Sequence, residues 1–141
     1  MSAEKKILII DDDPDNLIYL SAVLQDNNYE TISASDGDEG LKKAQETAPD
    51  LILLDLMMPK KSGIKFLNEI KLNEALKDIP IIVESGVSKV TGVDMKHYLE
   101  NNPFKERKDK IKGTHIDTTP QAYIEKPIDP KELVDTVKKF I

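Results

Sequence analysis

A chain of 141 residues is long enough for one domain around a single hydrophobic core, and its lack of cysteine excludes disulfide frameworks and thiolate chemistry. Its 20 basic and 26 acidic side chains leave a net charge of −6, which argues against direct binding to nucleic acid or to an anionic membrane surface. No apolar stretch approaches transmembrane length, and the opening MSAEKKILII is too short in its apolar part for a secretory signal, so a cytoplasmic location is expected.

Short apolar runs and helical stripes alternate along the chain. Lys6–Ile10 (KILII) is a continuous run of branched residues, the pattern of a strand covered on both faces. Behind it Asp13 can cap a helix with Pro14 at its first position, and Leu17, Leu20, Val23 and Leu24 form the apolar stripe. Tyr29–Ser33 is a weaker strand, followed by a short stripe of Leu41, Ala44 and Ala48. Leu51–Leu54 (LILL) predicts a third strand, and Ile64, Leu67, Ile70 and Leu72 a less regular helix. Pro80–Val83 (PIIV) and Ala122–Ile124 predict two more strands. Asp129-Pro130-Lys131-Glu132 reads as a capping box, with Leu133, Val134, Val137, Phe140 and Ile141 facing one way behind it. Strand and helix in alternation, five times over, predict an α/β fold: a five-stranded parallel sheet, doubly wound, with helices on both faces.

In such sheets ligands bind outside the carboxyl ends of the strands. The first strand ends in Asp11-Asp12-Asp13, the third in Asp55, the fourth at Ser85 and the fifth at Lys126-Pro127. Crowded carboxylates repel unless a cation sits among them, and oxygen ligands from two strands suit a hard divalent ion such as Mg²⁺, or Mn²⁺. What remains is a carboxylate that can act as a nucleophile toward phosphorus, with Lys126 and the Ser85 hydroxyl to share the charge on phosphoryl oxygens. For Asp13 and Asp15 an ordinary helix start is the better account. His97 and His115 are isolated and read as surface or loop residues.

The ordered set IIDDDPDN, LILLDLMMPKKSG, PIIVESG and AYIEKP resembles that of a response-regulator receiver domain, over nearly everything from Lys5 to Ile141. The resemblance implies a flavodoxin-like (βα)5 fold, with Asp55 as phosphoacceptor and Asp11 and Asp12 as the metal-binding acid pair. It further implies the backbone carbonyl of Met57 as a third protein ligand beside Asp55, Ser85 as the switch hydroxyl, Lys126 as the site lysine and Tyr123 as the switch aromatic. Pro59 and Gly63 match the loop after the phosphoacceptor. The implied activity is the acceptance of a phosphoryl group from a sensor histidine kinase or histidine phosphotransfer protein. The signal would then pass by altered protein contacts, and catalysis would be limited to the domain's own phosphorylation and dephosphorylation.

Other classes fit less well. There is no G-x-x-x-x-G-K-[ST] and no G-x-G-x-x-G after the first strand. A haloacid-dehalogenase-type reading of Asp11-x-Asp13 leaves Asp55 unexplained. The main rival is a pseudo-receiver, a protein-interaction module that is never phosphorylated.

One departure stands out. Ser85 and Lys126 lie 41 positions apart, longer than the family's usual spacing, and the excess falls around residues 101–120. Residues 104–116 carry five basic and two acidic side chains on an otherwise acidic chain. The expectation is one receiver domain over residues 1–141, with no output domain. A downstream protein would be contacted through the fourth helix, fifth strand, fifth helix and this insertion.

Overall fold

The computed structural model describes residues 4–55, 63–85, 121–125 and 127–141. Five strands, β1 (Lys6–Ile10), β2 (Glu30–Ala34), β3 (Leu51–Asp55), β4 (Ile81–Ser85) and β5 (Ala122–Glu125), form one sheet in the order β2-β1-β3-β4-β5. Every neighbouring pair is parallel, with Ile10 opposite both Ala34 and Leu54, and Asp55 opposite Glu84. The helices are α1 (Pro14–Asp26), α2 (Gly37–Thr47), α3 (Gly63–Leu72) and α4 (Pro130–Lys138). The fold class read from the sequence is the one found. The remaining predicted helix, before the fifth strand, falls outside the described residues.

The continuous apolar strands are explained by burial on both sides. Leu8, Ile10, Ile52, Leu54, Ile81 and Val83 point to one layer, where Ala44 of α2 and Phe66, Leu67 and Ile70 of α3 close over them. Ile7, Ile9, Leu51, Leu53, Ile82 and Ile124 point to the other, covered by Leu20 and Leu24 of α1 and Leu133 and Val137 of α4. Each such side chain contributes about 1.5–3 kcal/mol by leaving water. A strand exposed on one face would have shown alternation instead.

Local chemistry sets the helix ends. Asp13 caps α1 by accepting from Asp15 N at 3.0 Å, and Asp129 caps α4 by accepting from Glu132 N at 2.9 Å. In both, proline occupies the first helical position, where no amide hydrogen is needed. Asp36 caps α2 through Glu39 N at 2.8 Å, while the Glu39 carboxylate reaches back to Ser35 N at 2.7 Å.

Three predicted stripes lose a member. Ala48 is the C-cap of α2, exposed and left-handed at φ 46°, because Pro49 disfavours a helical conformation in the residue before it. Leu72, the last residue of α3, is 58% exposed. Phe140 lies beyond the end of α4 and is 36% exposed, while Ile141 packs on the α1/α4 layer.

Candidate functional site

The strand order changes direction between β1 and β3. β1 is followed in the chain by β2 on one side, and β3 lies on its other side. Crossovers therefore leave to opposite faces here and open a crevice at the carboxyl ends. Asp11 follows β1, its amide still bonded to the Ala34 carbonyl of β2 at 3.0 Å, and Asp55 is the last residue of β3. The carboxylates of Asp11, Asp12 and Asp55 converge there, with one oxygen from each lying within 4.8 Å of the others. Asp11 and Asp55 are buried and Asp12 is exposed.

Nothing but oxygen is offered by this trio, and two of its members lie where water cannot screen them. Two unit charges at such a separation repel by roughly 3 kcal/mol at an effective dielectric constant of about 20. A hard divalent cation that accepts carboxylate oxygens and keeps several waters offsets that repulsion, and the open side at Asp12 leaves room for the waters. The residues present fit such an ion.

The Asp11 carboxylate is held at both oxygens. Oδ1 accepts from Asp13 N at 2.9 Å, and Oδ2 accepts from the Asn16 side-chain amide. The same Asn16 amide donates to Glu84 Oε1 at 3.0 Å. Glu84 is fully buried, one position before the end of β4. Neither Asn16 nor Glu84 belongs to the site residues read from the sequence. A signal was present: an acid directly after Ile81-Ile82-Val83 stands where strand burial would place an aliphatic residue.

Ser85 closes β4, paired with Glu125 of β5, so its backbone reaches the same rim as Asp55. Tyr123 on β5 sits opposite Val83 and packs on the α2/α3 layer, with its hydroxyl oxygen shielded from solvent. Lys126 and Met57 lie outside the described residues, as do Pro59, His97, His115 and the segment 101–120. The chain on either side of Lys126 is fixed: Glu125 ends β5, and Tyr19 Oη donates to the Ile128 carbonyl at 3.1 Å. Among the described residues no helix is long and apolar enough to cross a membrane.

The sequence profile described as "Response regulator receiver domain" matches residues 7–101. The polar-differentiation response regulator DivK of Brucella ovis is 31% identical over 137 residues, covering 97% of this chain and 96% of that protein. The phosphate regulon transcriptional regulatory protein PhoB of Escherichia coli is 31% identical over 134 residues, covering 95% of this chain but 50% of its own length. The chain thus spans about half the length of PhoB. Among solved structures, the Vibrio cholerae chemotaxis protein CheY4 superposes with a TM-score of 0.74 at 27% identity, covering 99% of this chain and all of that one. A CheY-like receiver domain protein from Methanospirillum hungatei gives a TM-score of 0.72 at 28% identity, covering 96% of this chain and 92% of that one.

Proposed function

The chain belongs to the response regulator receiver domain family of two-component signalling, and on that footing we propose that Asp55 is the residue that accepts the phosphoryl group. The observation that carries this reading is the convergence of Asp55 with Asp11 and Asp12 at the β1/β3 crevice. An Asp55 carboxylate oxygen forms the new bond to phosphorus as the P–N bond to a donor histidine breaks, and the imidazole leaves with the electron pair. The donor is a sensor histidine kinase or a histidine phosphotransfer protein.

Asp11, Asp12, Asp55 and the Met57 carbonyl would hold Mg²⁺ or Mn²⁺, which supplies positive charge beside the incoming phosphoryl oxygens. Lys126 and the Ser85 hydroxyl take up the charge on the others. Ser85 and Tyr123 then carry the change to β5 and the C-terminal helix, where a downstream protein docks together with the basic insertion at 101–120. In this reading the whole chain is one receiver domain acting in the cytoplasm, catalysing only its own modification. A pseudo-receiver would gather the same carboxylates with no cation to offset them.

Incubation with a small phosphodonor and Mg²⁺, followed by intact mass, tests the proposal. The protein should gain one phosphoryl group, and Asp55→Asn should not. Removing residues 101–120 should leave the gain intact, since no reacting group lies among them. No gain in the native sequence, or an equal gain in Asp55→Asn, would refute the assignment.

A further inference from the structure

Asn16, in the first turn of α1, and Glu84, near the end of β4, are 68 positions apart in sequence and meet behind the acid cluster. Glu84 lies on the face of β4 that carries Ile82 into the α1/α4 layer, and no part of it reaches solvent. The Asn16 amide nitrogen donates to Glu84 Oε1 and to Asp11 Oδ2. Both acceptors are carboxylates, so only the NH₂ end of the amide can face them, and its two hydrogens serve one each. Asp11 has its remaining oxygen on Asp13 N.

We infer that Asn16 and Glu84 are a positioning pair for the divalent cation: Glu84 fixes the Asn16 amide, and Asn16 fixes the Asp11 carboxylate in the orientation that binds metal. The inference rests on the metal-dependent reading of the acid cluster given above. A ligand carboxylate left free to rotate must be ordered at the moment of binding, which weakens binding, and loss of an outer-shell partner typically costs 10–100-fold in metal affinity. Glu84 itself is not within the group of converging ligand oxygens, so its effect passes through Asn16. A purely structural role for a buried acid gives a different signature. Replacing it with an aliphatic residue of similar size is then neutral or stabilising, and ligand affinity stays the same.

The experiment is calorimetric titration of the full chain with Mg²⁺, and with Mn²⁺, alongside melts in chelator. Asn16→Ala and Glu84→Leu should each weaken metal binding about tenfold, while Glu84→Gln, which keeps an acceptor oxygen, stays within about twofold of the native sequence. Glu84→Leu should melt no lower than the native protein without metal, which separates lost affinity from lost folding. If the native chain binds neither metal, the metal-dependent reading falls and this inference with it. If the native chain binds metal and Asn16→Ala and Glu84→Leu bind as tightly, only the positioning pair is overturned. A Glu84→Gln as weak as Glu84→Leu would also overturn it, since the charge and not the hydrogen bond would then be responsible.

Discussion

Two buried aspartates face each other across neighbouring strands, and their like charges repel in the apo protein. Asp12 shares that field from the exposed side, so its charge opposes folding when no cation is present and favours cation binding when one is. Asp12→Asn should therefore melt at or above the native temperature in chelator and show a smaller rise on adding Mg²⁺. A native-sized rise would contradict a role for Asp12 in metal binding. These acids were legible because each ends an aliphatic run, where a charged residue marks a strand terminus. Glu84 carried a signal, as an acid inside a buried strand, but its meeting with Asn16 was not legible, because the two are 68 positions apart and no local spacing encodes the contact.

The helices show what packing adds to pattern. Gly40 lies in the first turns of α2, where its amide bonds to the Asp36 carbonyl at 2.9 Å. A Cβ there would fall 2.5 Å from Ile10 Cδ1 and 2.9 Å from Ile10 Cγ1. Alanine gains up to about 1 kcal/mol in helix propensity over glycine. Overpacking a filled core costs about 1–3 kcal/mol, and Ile10 is fully buried on a central strand, so its side chain can yield only by pressing on packed neighbours. The clash should win: Gly40→Ala should lower stability by about 1–2 kcal/mol in urea or thermal unfolding. A higher midpoint would show that α2 stands off the sheet. In sequence Gly40 passes as a tolerated helical glycine, since the close approach exists only once α2 lies on β1. The caps at Asp13 and Asp129 were legible because capping is local. Phe140 departs from the stripe because α4 ends at Lys138, so helical spacing no longer sets where its side chain lies.

At the scale of the molecule, strand order does what no motif can. The sequence places Asp11 and Asp55, at the ends of β1 and β3, 44 positions apart, and the order β2-β1-β3-β4-β5 makes those strands neighbours. The alternation of elements predicted one parallel sheet with helices on both faces, but not which strands would be neighbours. Between β4 and β5 the fourth predicted helix and the basic segment were not placed by pattern, because no apolar stripe was read there to anchor a helix. The central claim, that this rim transfers a phosphoryl group onto one carboxylate, is tested most directly by locating the modification. The phosphorylated protein should be reduced with borohydride, which converts an acyl phosphate on aspartate to homoserine, and then sequenced by tandem mass spectrometry. Homoserine should appear at position 55, and only when divalent metal was present during phosphorylation. Homoserine at Asp11 or Asp12, or a phosphoryl group on a residue that borohydride leaves untouched, would contradict it.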